Sequence, residues 1–459
     1  NGVIDAGEEC DDGNSINLDG CQSMCLTAST TTCIGQCDTK GSIQGYLHIE
    51  LPDNAASPSS GMNIRVSGDS IAVGDSAGEG AVQIFEQNNA GWQKTHHITA
   101  SDKANGDQFG HALDISGDTL LVGAIGDSDN GSYSGSAYVF TRVNDAWTQT
   151  QKLVASDAAA GDRFGSDVAV DNNTLVVGAS AKDTTDSNAG AIHIYQWASA
   201  SNMWLEKQQI NGGSLENAYF YVTVQSATNS YFGTSVDIDN NIIVVGAPDQ
   251  PYDYETKGAA YIFELTAEGL WAQSAALIPY DYDDSWSFGD SQTRFGQSVA
   301  ISNDIVVVGQ PLRGAQNTNN EKPGGAWVYQ RNNGGTWSLV TKLNHIENKL
   351  ESWFGHSVSI HDDMIVAGAP YDGGANTGSA HIFRLLNNIW TPEGVTVPPG
   401  TASATQIGWA VSSHGGRIGL GSGVYSNLAF TATREAYCTA QGACICNEGY
   451  GGPTCADTL

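Results

Sequence analysis

Basic residues are scarce in this chain: 19 Lys and Arg stand against 50 Asp and Glu in 459 residues, a formal charge of −31 at pH 7. A surface of that sign repels phosphate instead of releasing its counterions, which excludes nucleic acid as a partner. Long apolar runs are missing as well. The hydrophobic stretches are as short as Ile242–Ala247, far below the roughly 18 consecutive residues of a membrane-spanning helix. Proline is sparse, 12 against 55 glycines, and the glycines have no three-residue period; this rules out collagen and implies many tight turns. With 40% hydrophobic and 9% aromatic residues, the chain can nonetheless bury a core, so its acidity is not that of a disordered tail. It opens on Asn1 with no Met and no charged-then-apolar leader, so a secretion signal is expected to have been removed or left out of this sequence.

Cysteine is absent between Cys37 and Cys438. The nine present are Cys10, Cys21, Cys25, Cys33 and Cys37 at the front and Cys438, Cys444, Cys446 and Cys455 at the back. That distribution predicts small disulfide-stapled modules at residues 1–42 and 434–459, flanking a core at 43–433, in an oxidising compartment. A structural zinc site is the competing reading, but no Cys-x-x-Cys pair faces a second such pair or a His pair at zinc-finger spacing.

One phrase recurs through the core. Phe109-Gly-His-Ala-Leu-Asp-Ile precedes Thr119-Leu-Leu-Val-Gly-Ala, and Phe164-Gly, Phe232-Gly, Phe295-Gly and Phe354-Gly each precede a like pair ending in Gly-Ala, Gly-Ala-Pro or Gly-Gln-Pro. Weaker copies begin at Gly61 and Ile407, giving seven. Steps of 53 to 68 residues suit a four-stranded propeller blade. Each unit has an alternating first strand, a continuous Val/Ile second strand buried on both faces, a third strand after a glycine, and a fourth opened by Trp92, Trp147, Trp204, Trp271, Trp337 or Trp390. The tryptophans read as core. The last unit lacks its Trp strand, and an orphan strand at 43–51 supplies it; the expectation is an all-β, seven-bladed propeller closed by an N-terminal strand.

These phrases resemble FG-GAP repeats, and residues 43–433 are similar to the seven-bladed propeller of integrin alpha chains and their microbial relatives. The resemblance implies an extracellular interaction module, with calcium in the loop between second and third strands of some blades. Calcium takes several oxygen ligands on a short flexible loop. Asp127 and Asp129, followed by Asn130-Gly131, are the first candidates; Asp183 with Asp186, Asp249 with Asp253, and Asp372 are looser ones. None has the full Asp-x-Asp-x-Asp-Gly spacing, and the competing reading is turn-forming acids on an acidic surface. A second acidic pattern, Asp102 with Asp107 and Asp157 with Asp162, reads as a blade-joining turn whose carboxylates accept backbone N–H bonds.

The segment from Asn1 to Cys25 resembles a short cysteine-rich repeat of myxobacterial surface proteins, which carries one more Cys just before its Asn-Gly; the odd count of nine is then explained by an upstream partner, the alternative being a free or intermolecular thiol. The run from Cys444 to Cys455 resembles the end of an EGF-like module, in which the last two cysteines pair. Asn130 and Asn172 lie in N-glycosylation sequons, and Thr30, Thr31 and Thr401 lie in Ser/Thr tracts able to carry O-glycans.

Three function classes follow. The first is a non-enzymatic adhesion or interaction module, extracellular or on the cell surface, binding a protein or glycan. The second is a structural subunit whose terminal modules contact other copies in a filament or sheath. The third, the propeller part of a secreted hydrolase, has least behind it: the sequence shows no nucleophile elbow, no His-Glu-x-x-His and no convergent His/Asp set.

Overall fold

The computed structural model describes residues 44–50, 63–88, 91–215, 227–252, 255–279, 292–312, 324–349, 351–373, 376–398, 405–423 and 428–433, with short pieces at 436–438, 444–446, 450–451 and 457–458. Cys10, Cys21, Cys25, Cys33, Cys37, Cys455, Thr30, Thr31, Thr401 and Asp253 lie outside the described residues. The chain forms two units. The larger, Leu47–His414 with Ile418–Thr431, is an all-β propeller.

An opening strand β1 (Gln44–Glu50) is followed by β2 to β5 (Asn63–Ser67, Ser70–Asp75, Ala81–Asn88, Gly91–Ile98), which form one four-stranded sheet in chain order. The same meander recurs in β6 to β9 (Phe109–Ser116, Thr119–Ala124, Ser136–Val143, Ala146–Leu153) and β10 to β13 (Phe164–Asp171, Thr174–Ala179, Ala191–Ala198, Met203–Asn211). The next repeat supplies β14 (Ser235–Asp239), β15 (Ile242–Ala247), β16 (Pro251–Tyr252), β17 (Glu255–Leu265) and β18 (Trp271–Leu277). Then come β19 (Gln292–Phe295), β20 to β23 (Val299–Ser302, Ile305–Gln310, Gly325–Arg331, Trp337–Leu343) and β24 to β27 (Val358–His361, Met364–Ala369, Ser379–Leu386, Ile389–Thr396). The last repeat gives β28 (Ile407–His414), β29 (Arg417–Ser422) and β30 (Leu428–Thr433).

The expectation of seven blades needs correction: the structure forms six four-stranded blades. The repeat at Phe232 instead enters a six-stranded sheet, in which β16 and β19 join β14, β15, β17 and β18. The cause is an extension of a contact found elsewhere. Gly135 bridges Phe164 of the next repeat, and Gly80, Gly190, Gly324 and Gly378 do likewise, as isolated parallel bridges. Between Gly258 and Phe295 the bridge grows by one more pair, Thr256 with Gln292, into a parallel ladder of β17 with β19. The closing strand lies where the sequence puts it: β1 is hydrogen-bonded beside β30, in the order β1-β30-β29-β28.

Why Phe-Gly recurs is plain from packing. Phe109, Phe164, Phe232, Phe295 and Phe354 are fully buried, and each meets an aromatic ring of its own third strand edge-on, as Phe109 meets Tyr138 at 5.5 Å and Phe295 meets Trp327 at 5.8 Å. The clusters they anchor draw on two successive repeats. The glycines are needed for close approach: a Cβ on Gly123 would lie 2.2 Å from the carbonyl oxygen of Gly165, which itself has φ +88. Trp204, Trp271, Trp337 and Trp390 are buried, as expected of core residues, whereas Trp92 and Trp147 are half-buried against the edge of the core.

The first strands β2, β6, β10, β14, β20, β24 and β28 neighbour one another in that cyclic order, and β28 returns to β2. Each is the edge of its sheet, so its outward N–H groups need acceptors. The preceding repeat supplies them from side chains. Asp114 accepts from Val170 N (2.7 Å), Asp167 from Val236 N (2.8 Å) and Asp237 from Ile301 N (2.8 Å). Ser298 then accepts from Val358 N (3.0 Å), Ser359 from Ser413 N (2.9 Å) and Ser412 from Val66 N (2.9 Å). This girdle explains the Asp and Ser residues on strands that otherwise alternate with apolar ones.

In the second unit, Ala436–Cys438 pairs antiparallel with Cys444–Cys446, placing Cys438 opposite Cys444 in the backbone register, and Tyr450–Gly451 pairs with Asp457–Thr458.

Candidate functional site

The polar side chains that sequence reading singled out gather where the loop between second and third strands meets the turn leading into the blade. The fourth residue after the second-strand glycine is the pivot. In the repeats of Phe109, Phe164, Phe232 and Phe354 it is Asp127, Lys182, Gln250 and Asp372, each buried, and its carbonyl accepts the N–H of the glycine that opens the third strand: Gly135, Gly190, Gly258 or Gly378.

Asp127 accepts hydrogen bonds from Ser136 Oγ (2.8 Å), Tyr138 OH (2.9 Å) and the backbone N–H of Asp129 (3.0 Å). Its neighbour is an ammonium group: Lys152 Nζ, from the fourth strand β9, lies 2.7 Å from Asp102, 2.8 Å from Asp127 and 2.7 Å from Asp129. Burial disfavours the charge on Asp127, but Lys152, the Asp129 N–H and the two hydroxyls outweigh it and hold the carboxyl below the usual range. Burial likewise opposes the Lys152 charge and is outweighed by its three carboxylates. The calcium candidates Asp127 and Asp129 are therefore brought together, with Asp102 as the third oxygen donor. They converge on a lysine.

In the following repeat the polarity is reversed. Lys182 sits on the loop, buried, with Nζ 2.9 Å from the buried Asp162, 3.0 Å from Asp157 Oδ1 and 3.1 Å from the Asp157 carbonyl. Asp183 instead accepts from Asn188 N (2.8 Å) and Ser187 Oγ (3.2 Å), and Asp186 from Thr228 Oγ1 (3.3 Å); these two acids do not converge. Asp249 lies 3.9 Å from Arg294. The blade-joining acids behave as turn formers, Asp107 accepting from Ala104 N (2.6 Å) and Asp162 from Ala159 N (2.9 Å), but Asp102, Asp157 and Asp162 also hold the lysines.

The Asp372 corner is built differently. Ser379 Oγ donates to Asp372 Oδ2 (2.6 Å), Lys349 Nζ lies 3.1 Å from Oδ1, and His345 Nε2 lies 3.2 Å and His381 Nε2 3.9 Å from Oδ2. Burial opposes the Asp372 charge, yet His345, Ser379 and Lys349 hold its carboxyl well below the usual range. His345, Asp372 and His381 are within reach of one ion. Their tautomers argue against such use. His345 Nδ1 accepts the N–H groups of Glu347 and Lys349, and His381 Nδ1 accepts that of Ile346, so each ring carries its proton on Nε2, which faces the Asp372 carboxylate in His345 and Ser379 Oγ, 3.1 Å away, in His381. His381 is neutral, its pKa lowered to about 3 by burial first and His345 second. Sequence reading missed this convergent Ser379, His381 and Asp372 set. It is sealed, and Ser379 Oγ donates to Asp372 while accepting from the protonated Nε2 of His381 at 3.1 Å, so that imidazole is not placed as a base for it.

Among the described residues, the candidates do not fit resident calcium. Calcium takes six to eight oxygens, whereas the described loops offer three carboxylates around an ammonium, two scattered acids, or one acid among donors. Lys152 and Lys182 were missed because their partners lie on other elements, 20 to 50 residues away. Asn130 and Asn172 are both exposed, the latter at a hairpin turn with φ +50. His111 and His356, which follow Phe-Gly, have pKa values lowered to about 4, chiefly by burial.

Comparison with curated proteins finds no match to this chain. Among protein families, the FG-GAP repeat matches residues 92–140, 147–195, 225–263, 271–329 and 337–383, more than half of the sequence. Four of those five segments begin at the tryptophan that opens a fourth strand, and all five end on or beside a third-strand aromatic. The sequence repeat is thus offset from the sheet by one strand, as closure by β1 requires. The chain belongs to the FG-GAP repeat family.

Proposed function

We propose that the chain is a non-enzymatic extracellular interaction module built on an FG-GAP β-propeller. The observation that carries this reading is the state of its polar clusters. Asp127, Lys182 and Asp372 are buried against internal partners, which supports structural inserts under the propeller rim and leaves recognition to exposed loops. Among the described residues no helix is long and apolar enough to cross a membrane. FG-GAP membership supports an extracellular or cell-surface location, with exposed Asn130 and Asn172 as N-glycan acceptors and the terminal cysteines forming disulfides there.

The test is binding of the purified full chain to panels of immobilised extracellular proteins and glycans. Saturable binding that weakens with salt is expected from so acidic a surface. Turnover of ester or phosphodiester substrates without saturable binding would contradict the reading; regular polymers seen by electron microscopy would favour the structural-subunit alternative.

A further inference from the structure

We propose that Lys152 and Lys182 are built-in cations, standing where FG-GAP resemblance would put a divalent ion, so that these two corners of the propeller hold their shape without metal.

The donor arithmetic supports this. An ammonium group has three N–H donors and no acceptor; Lys152 Nζ faces three carboxylates at 2.7 to 2.8 Å, one for each donor. Lys182 Nζ faces three oxygens at 2.9 to 3.1 Å. The second argument is independent of distances. Lys152 comes from the outer strand and Lys182 from the loop, yet they reach equivalent places: Asp102 and Asp157 each lie seven residues before a Phe-Gly, Asp107 and Asp162 each two. Two unlike positions thus deliver an ammonium to the same corner. Chance surface pairing would not do this, and Lys182 with Asp162 is no surface pair, each being about 5% exposed.

Such a corner loses its need for metal and becomes a cation site once the lysine is removed. The experiment uses the full chain: wild type, Lys152→Ala, Asp127→Asn/Lys152→Ala and Asp129→Asn, each melted in EDTA and in millimolar CaCl2, with bound calcium measured by equilibrium dialysis. The wild-type melting temperature is expected to agree within about 1 °C between the two media, because a ligand that does not bind cannot shift stability. Lys152→Ala should melt lower in EDTA, recover by several degrees in CaCl2 and bind one more ion than wild type. Asp127→Asn/Lys152→Ala should lose that gain. If Lys152→Ala folds only when refolded in CaCl2, that also supports the proposal. It is overturned by a wild-type calcium response that Asp129→Asn removes, or by a Lys152→Ala protein that gains no ion and no recovery.

Discussion

The Asp127 and Asp372 corners occupy one place in the repeat and are furnished differently. Both residues are buried, both follow a second-strand glycine by four positions, and both bond a third-strand glycine through their carbonyls. Around Asp127 stand an ammonium and two hydroxyls; around Asp372 stand two imidazoles with outward-facing Nδ1 acceptors, one hydroxyl and Lys349. Lys182 and Gln250 show that the same place also takes a cation or an amide. The fold therefore fixes burial and backbone at this position and leaves its charge to be matched blade by blade.

The largest effect is expected from Asp372→Ala, which leaves His345 and Ser379 buried without their acceptor and should cost about 3 kcal/mol in denaturant unfolding. Lys182→Met strands the buried Asp162 and should cost nearly as much, about 2 to 3 kcal/mol; Lys152→Met should cost less, about 1 to 2 kcal/mol, because Asp102 and Asp129 remain in water. A pH series sharpens the contrast between rim and axis. Asp127 and Asp372 have folded pKa values below their unfolded ones, so their stabilisation is present above about pH 4 and is lost as pH falls through the folded values. Asp237, on the inner strand β14, is the reverse: burial, with the Asp114 charge second, raises its pKa to about 8. The unfolded chain ionises it first, so wild type should lose stability relative to Asp237→Asn as pH rises from about 4 to 8. A constant difference between the two proteins over that range would contradict the assignment. The smallest effect belongs to Asp129→Asn, exposed and held to Lys152 alone among side chains, expected within about 0.5 kcal/mol of wild type by the same measurement.

Periodic features were legible in the sequence. The Val/Ile second strands, the Trp-opened fourth strands and the missing strand supplied by β1 each repeat or complete a pattern, and packing of like units obeys it. The girdle of Asp114, Asp167, Asp237 and the serines was not legible, because each acceptor serves another repeat's backbone, 54 to 69 residues on or, for Ser412 and Val66, across the closure of the ring. The same distance hid the corners. Asp127 and Asp129 look like calcium ligands when only their own loop is read; Lys152, on another strand, changes the chemistry. The extra strands β16 and β19 were missed because Pro251–Tyr252 and Gln292–Phe295 are too short to show alternation.

The central claim is that this buried position tolerates either sign of charge provided its partners are matched, and one double-mutant cycle tests it most directly. In the Phe164 repeat the loop bears Lys182, and the residue paired with the third strand, where Lys152 faces Tyr138, is Gln209 facing His193. Asp127→Lys with Lys152→Gln transplants that arrangement onto Asp102 and Asp107. Each single change should destabilise the protein, by crowding two ammonium groups or by leaving Asp127 unpaired, and the double variant should unfold closer to wild type than either. A double variant destabilised by the sum of the two would contradict the account.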